Sequence, residues 1–149
     1  MNYESGSYPP KLSGIAAKLL AVYSEWQQYM HSITKTLRYS LAIHIDQIFV
    51  EIVSLTAEAQ FSSREIRVNP INQAIIKNDT LKFMLYTIFE LKGIDNKKFL
   101  SLSVKTEEIG RMLYGWKNQC PKIEPRPDKK INETPPRTKV ATAGKNEKE

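Results

Sequence analysis

Cysteine and histidine are scarce in this sequence. Cys120 is the single cysteine, and His31 and His44 are the only histidines among 149 residues. One cysteine cannot form an intrachain disulfide or build a multi-cysteine zinc cage. The sequence also lacks a His-Glu-x-x-His segment and the Glu-x-x-His pairs that load di-iron bundles. We therefore predict no metal and no cofactor.

Long apolar runs and catalytic motifs are missing as well. Charged or amide side chains keep every apolar run short of the roughly 20 residues that span a bilayer, and the amino terminus lacks the basic and apolar regions of an export signal. No GxxxxGK[ST] phosphate-binding loop is present. These absences predict a cytoplasmic protein that has no membrane partner.

The reactive side chains that do occur stand apart from one another. Each histidine is isolated, which favours a surface or structural role, and Cys120 has no base near it in the sequence, so we expect it to be exposed and inert. Carboxylates such as Glu107 and Glu108 are typical of a solvated helix face rather than of an acid–base pair. We predict that the protein is not an enzyme.

Apolar residues recur at steps of three and four along four segments, the spacing of helices that each bury one face. No segment alternates as a strand does. Four helices with short connections predict an all-α, antiparallel up-down four-helix bundle. The four seams are Leu12, Ile15, Leu19, Val22, Trp26, Tyr29 and Ile33; Leu41, Ile45, Ile48, Ile52, Leu55 and Ala59; Ile71, Ala74, Asn78, Leu81, Leu85 and Ile88; and Phe99, Leu102, Thr106, Ile109, Leu113 and Trp116.

Composition divides the chain into three parts. We place a flexible arm at residues 1–11, the bundle at residues 12–118, and a disordered tail at residues 119–149. The tail is rich in proline, lysine and arginine and has almost no large apolar residues, so it cannot bury enough surface to offset the entropy of ordering.

Residues typical of helix ends mark the connections. Asn69 can cap the third helix with Pro70 at its first position, although Ser62 with Glu65 is an alternative start. Gly93 suits a left-handed cap at the end of that helix. Asp95 is the predicted N-cap of the fourth helix.

Three seam or near-seam residues are unusual. Gly110 and Gly115 each cost a helix roughly 1 kcal/mol relative to alanine, which indicates that another helix or subunit packs very close. Asn78 occupies a buried position of the third seam, where a polar residue can fix helix register. The alternative for Asn78 is a rotated helix that leaves it partly exposed.

The chain carries a net charge of +6, with a pI near 9.4. The cations form either a surface that follows a phosphate backbone or a solubilising face. Tyr39, Tyr86 and Tyr114 can stack on nucleobases if they are exposed. The bundle cations singled out are Lys35, Arg38, Arg64, Arg67, Lys77, Lys82, Lys92, Lys97, Lys98 and Lys105.

Burial within one chain leaves little surplus over conformational entropy for a bundle of this size. We therefore expect self-association through further apolar side chains. The candidates are Tyr86, Phe89, Met112 and Tyr114.

Three segments together resemble one protein family. They are Thr34-Lys35-Thr36-Leu37-Arg38-Tyr39-Ser40-Leu41, Asn78-Asp79-Thr80-Leu81-Lys82-Phe83 with Glu90-Leu91-Lys92, and the stretch from Glu108 to Trp116. The resemblance is to the four-helix-bundle family of accessory variability determinant proteins of diversity-generating retroelements, which also contains proteins encoded in intervening sequences of 23S ribosomal RNA genes. It covers roughly residues 20 to 118.

The resemblance implies a barrel-like homopentamer with a basic surface that binds a reverse transcriptase and nucleic acid. Such a subunit is noncatalytic and supports mutagenic copying of a template-repeat RNA into cDNA. The residues it assigns to nucleic-acid or partner binding are Lys35, Arg38, Lys77, Lys82 and Arg111. The alternative within the same family is an intervening-sequence bundle that has a structural or interaction role.

Overall fold

The computed structural model describes residues 14–122, which contain four helices and no strand. We number them α1, Gly14–Met30; α2, Lys35–Phe61; α3, Val68–Glu90; and α4, Asn96–Asn118. The predicted all-α class is confirmed. The predicted arm at residues 1–11 lies outside the described residues, as does the predicted tail beyond residue 122.

The four helices pack around a single core. In the described part of the chain, α1 contacts α2 and α4, while α3 lies between α2 and α4. Trp26 and Phe49 stack at the centre with ring centroids 6.1 Å apart, and both side chains are fully buried. The three-and-four spacing predicted the buried positions well. The buried seam residues are Leu19, Val22, Trp26, Ile33, Ile45, Ile48, Ile52, Ala59, Ile71, Ala74, Asn78, Leu81, Leu85, Ile88, Leu102, Thr106, Ile109 and Leu113.

The sequence predicted the start of α4 correctly but not the start of α3. Asp95 caps α4 as predicted, because its side chain accepts a hydrogen bond of 2.8 Å from the Lys98 backbone N–H. The predicted start of α3 at Pro70 is wrong, since the helix begins at Val68 after a turn. Pro70 is tolerated at the third position because the first four N–H groups of a helix have no partner within it.

A π-helical turn, Arg38–Ala42, interrupts α2. In an uninterrupted α-helix, Arg38 would share a face with Ala42 and Ile45, both of which are fully buried. The extra residue of a π turn rotates the preceding residues by about 100°. Arg38 is thereby turned off the core face and is only half-buried.

The end of α3 also differs from the prediction. Lys92, not Gly93, takes the left-handed conformation, with φ at 65°. The Gly93 N–H donates to the Ile88 carbonyl at 2.8 Å and the Lys92 N–H donates to the Phe89 carbonyl at 2.9 Å, the pair of bonds that defines a Schellman motif. Gly93 is needed for space instead, because a Cβ there would lie 2.6 Å from Cγ1 of Ile88.

The two glycines of α4 have different surroundings. A Cβ at Gly110 would lie 3.1 Å from Nδ2 of Asn78, whereas a Cβ at Gly115 would meet nothing within 4 Å. Asn78 is 1% exposed, and its Nδ2 donates a hydrogen bond of 3.0 Å to the Thr106 carbonyl. The alternative of a rotated, exposed Asn78 is therefore wrong. Close packing at Gly110 is confirmed, but close packing at Gly115 is not found within residues 14–122.

The other end of the bundle contradicts the predicted exposure of Cys120. Cys120 is half-buried and packs against the core, with its Sγ 3.5 Å from the Trp116 carbonyl oxygen. Arg67 lies over the Trp116 ring, 5.9 Å from the centroid, and donates to the carbonyls of Ala59 and Ser62 at the end of α2. Cys120 is covered because the chain turns back at the end of α4, where the Cys120 N–H donates to the Lys117 carbonyl at 3.0 Å.

Helix α2 is long and apolar enough to cross a membrane by length and composition alone. The core helix of a soluble protein meets the same criterion, and α2 buries Ile45, Phe49 and Ile52. The absence of a membrane segment thus stays a prediction.

Candidate nucleic-acid interface

The turn between α1 and α2 and the turn between α3 and α4 lie together at one end of the bundle. The Lys98 ammonium donates to Oγ of Ser32 at 3.2 Å, which joins the start of α4 to the first turn. Leu37 packs against the second turn, since its Cδ1 lies 3.1 Å from the position a Cβ of Gly93 would take. The two turns therefore form one continuous surface.

We call this surface, residues 31–39 and 91–98, the basic end. Within these residues the one carboxylate, Asp95, is occupied as the cap of α4, and exposed Glu90 lies at the edge of the surface, where it lines the same pocket as Lys92. Lys35, Lys92 and Lys97 are exposed, and none of them forms an ion pair with a described residue. The cations of the basic end are Lys35, Arg38, Lys92, Lys97 and Lys98.

Arg38 and Lys98 are held in place by uncharged groups. The Arg38 guanidinium donates to the Ile33 carbonyl through Nη2 at 2.7 Å and Nε at 3.1 Å, and to the His31 carbonyl at 3.1 Å. The Lys98 ammonium lies 5.2 Å from the centroid of the Tyr29 ring. Neither partner neutralises the cation, so both charges add to the positive potential of the basic end.

The middle of the bundle is different, because its lysines are paired with carboxylates. Lys77 lies 2.9 Å from Oε2 of Glu51, and Lys82 lies 3.0 Å from Glu107 and 3.3 Å from Asp79. The remaining ion pairs among residues 14–122 are Lys18 with Glu108 and Lys105 with Glu25. All of these lysines are neutralised locally, and none belongs to the basic end.

The pKa shifts of two paired groups, Lys82 and Glu25, agree with this local neutralisation. Burial lowers the pKa of Lys82, but hydrogen bonds to Glu107 and Asp79 outweigh burial and leave the pKa above its ordinary value. Burial raises the pKa of Glu25, but hydrogen bonds from Lys105, Ser101 and Tyr29 outweigh it, so the pKa lies below its usual range. Both groups are held in their charged forms by their partners.

The five cations that the resemblance assigns to binding do not form one cluster. Lys35 and Arg38 lie at the basic end. Lys82 and Lys77 lie about 12 and 20 Å along α3 from its end there, and exposed Arg111 lies about 22 Å along α4 from its start. The structure instead groups Lys35 and Arg38 with Lys92, Lys97 and Lys98. Lys92 lies in the turn between α3 and α4, and Lys97 and Lys98 lie in the first turn of α4. Their position at the end of the bundle, outside the packed middle of the helices, is the signal that the sequence offers.

Two open pockets lie at the ends of the described bundle. One, of about 560 Å³, is at the basic end and is lined by Ser32, Phe89, Glu90, Lys92, Gly93, Ile94, Asp95 and Lys98. The other, of about 500 Å³, is at the opposite end and is lined by Gly14, Ile15, Gln60, Met112, Gly115, Trp116 and Gln119. Within residues 14–122, no three histidine, cysteine, aspartate or glutamate side chains come together as metal ligands would.

No family model matches the chain, and no curated protein does. What the protein can bind is thus inferred from the charges at the basic end. Positive charge without carboxylate partners attracts polyanions, and neutralised pairs contribute little to such attraction.

Proposed function

We propose that the protein is a noncatalytic, oligomeric nucleic-acid-binding subunit, and specifically an accessory subunit of a diversity-generating retroelement. In this role it binds template RNA or its cDNA and presents it to a reverse transcriptase. The observation that supports the proposal is the basic end, where five cations outnumber the capping carboxylate Asp95 and the exposed Glu90 at its edge, and none of the five forms an ion pair with a described residue.

The three segments that carry the family resemblance have different places in the structure. Residues 34–41 begin α2 at the basic end, and residues 90–92 end α3 there. The third segment, Glu108 to Trp116, contributes Gly110 to the close contact between α3 and α4. Residues 34–41 and 90–92 thus bear on nucleic-acid binding, whereas Gly110 of the third segment supports the architecture.

The affinity for RNA is expected to fall steeply with salt concentration. Each phosphate neutralised on single-stranded RNA contributes about 0.7 to the slope of log affinity against log salt, so three to five contacts predict a slope of roughly −2 to −3.5. Fluorescence anisotropy with a labelled RNA at several salt concentrations measures this slope. Failure to bind RNA at low salt would contradict the proposal and favour the alternative, a structural bundle encoded in an intervening sequence.

The reverse-transcriptase partner follows from the resemblance and has its own test. A reverse transcriptase gene with template and variable repeats beside the gene for this chain would support it. Co-purification of the two proteins from cells that express both would then be expected. Placement of the gene inside a ribosomal RNA gene would contradict it.

We also propose that the oligomer, a homopentamer by the resemblance, forms through the outer face shared by α1 and α2. Leu20, Ile43, Val50 and Val53 are 40% to 55% exposed there, and the helical phase directs all four away from the core. The one charged side chain amid them, Asp46, accepts a hydrogen bond from Gln27 of the neighbouring helix. Exposed apolar surface with so little charge is typical of a protein–protein contact.

Two of the side chains expected to mediate self-association, Phe89 and Met112, are half-buried within the chain. Phe89 stacks on Phe99 with centroids 4.5 Å apart, and the Met112 methyl is 3.5 Å from the position of a Cβ at Gly14. Tyr86 and Tyr114 are each 49% exposed and stay candidates for a subunit contact. The α1–α2 face is the one proposed here, because its exposed apolar side chains form one surface.

Val50→Lys is expected to dissociate the oligomer, because it places a charge in the centre of this face. Light scattering coupled to size exclusion measures the mass, and circular dichroism checks that the helices remain. Ile76→Lys is the matched control, since Ile76 is 63% exposed on the outer face of α3. A monomeric wild-type chain, or equal masses for both variants and the wild type, would refute this assignment.

A further inference from the structure

Tyr39 differs from every other tyrosine in the described chain. Its side chain is 68% exposed and has neither a ring contact nor a hydrogen-bond partner among residues 14–122. The Tyr23 hydroxyl accepts a hydrogen bond from Gln27, and the Tyr29 hydroxyl donates one to Glu25. The Tyr86 ring lies against Phe99, and the Tyr114 ring lies against Lys117. Only Tyr39 presents a ring with nothing packed on it.

The local backbone holds Tyr39 in this position. Tyr39 is the second residue of the π turn, and the residue before it, Arg38, is fixed by its hydrogen bonds to the carbonyls of Ile33 and His31. The same segment packs on α3, and Leu37 packs against Gly93. The ring therefore projects from an anchored segment, which limits the entropy lost when a ligand binds to it.

One unpaired cation lies close to this ring along the helix. Lys35 precedes Tyr39 by four residues, which is close to one turn of the helix. Lys35 is exposed and forms no ion pair with a described residue. An exposed aromatic ring beside a free lysine is the combination that holds single-stranded nucleic acid, because the base stacks while a phosphate pairs with the cation.

We infer that Tyr39 is the stacking platform for one unpaired nucleobase, with a flanking phosphate on Lys35. This inference rests on the proposed function, and it specifies that function as recognition of an unpaired segment rather than of a duplex. In a duplex the bases are already stacked on one another, so Tyr39 has no free base face to meet.

Tyr39→Ala is expected to weaken binding of a short oligoadenylate about tenfold, the loss typical of one base–aromatic stack. Tyr39→Phe retains the ring and is expected to bind as the wild type does. Phe83→Ala is the matched control, since Phe83 is 70% exposed on α3, two turns from the basic end. Anisotropy with the oligoadenylate, its DNA equivalent and a duplex RNA of the same length compares the four proteins.

The outcomes separate the stacking inference from the proposed function. Loss of oligoadenylate binding in Tyr39→Ala alone, with duplex binding unchanged, supports stacking. Equal binding by Tyr39→Ala and the wild type overturns stacking but leaves the proposed function intact, and equal losses in the Ala and Phe variants point to the hydroxyl and also overturn it. A wild-type protein that binds none of the probes overturns both. Photocrosslinking of a 4-thiouridine RNA to the wild type gives a second readout, in which a crosslink at residue 39 is expected.

Discussion

Reversing three charges of the basic end together, Lys35→Glu, Lys92→Glu and Lys97→Glu, is expected to weaken RNA binding by on the order of a hundredfold at about 0.1 M salt. Each phosphate contact contributes roughly fivefold through counterion release at that concentration, and the new carboxylates repel the backbone in addition. The fold should be unaffected, because these side chains are exposed and form no ion pair with a described residue. Anisotropy with a labelled RNA measures the loss.

The matched control changes the net charge by the same amount elsewhere. Arg64→Glu, Lys117→Glu and Lys122→Glu reverse three cations at the opposite end of the bundle, none of which forms an ion pair with a described residue. If binding depends on location, this control keeps most of the affinity. Equal losses in the two triple variants would show that net charge alone governs binding, and they would contradict the assignment of the basic end.

Gly110→Leu is expected to destabilise the chain by about 2 to 6 kcal/mol. Even a Cβ at this position would lie 3.1 Å from Nδ2 of Asn78, and a larger side chain must displace Asn78 from the Thr106 carbonyl. The cost combines the strain of overpacking with the penalty for leaving a buried amide unpaired, each about 1 to 3 kcal/mol. Urea denaturation followed by circular dichroism measures the difference in unfolding free energy.

Gly115→Leu is the control for the glycine prediction. The same substitution is made in the same helix, but a Cβ at Gly115 meets nothing within 4 Å. Replacement of an exposed helical glycine by a strong helix former is expected to be neutral or to stabilise by up to about 1 kcal/mol. Equal destabilisation by the two leucines would mean that the close contact at Gly110 is not what requires glycine.

Much of the fold could be predicted from the spacing of apolar residues. Spacing determines which face of a helix is buried, and so Leu19, Trp26 and Leu85 were predicted to be buried and are. Helix ends were less predictable, because they depend on local hydrogen bonds. The side chain of Asp95 does cap α4, but Pro70 does not begin α3.

Features that depend on tertiary space were not evident in the sequence. A glycine at the end of a helix usually supplies the left-handed conformation. Here the adjacent lysine, Lys92, takes it, and Gly93 is needed instead for the lack of space beside Ile88. The π turn of α2 was likewise not evident, and it turns Arg38 away from the core that this residue would face in an uninterrupted helix.

The candidate site, too, could be predicted only in part from the sequence. Sequence indicates that α3 and α4 are rich in lysine, but it does not show which lysines have carboxylates opposite them on a neighbouring helix. Lys77 meets Glu51 and Lys82 meets Glu107 only because helices far apart in sequence pack side by side. Lys92 and Lys97 lie at the end of the bundle and form no ion pair with a described residue, although Asp95 and Glu90 are nearby.

The most direct test of the basic end is the chemical reactivity of individual lysines with and without RNA, measured by acetylation and mass spectrometry on the full chain. Lys35, Lys92 and Lys97 are expected to lose reactivity when RNA binds, while Lys77 and Lys82, already paired with carboxylates, remain unchanged. Protection of Lys77 and Lys82 with no change at Lys35, Lys92 and Lys97 would contradict the account.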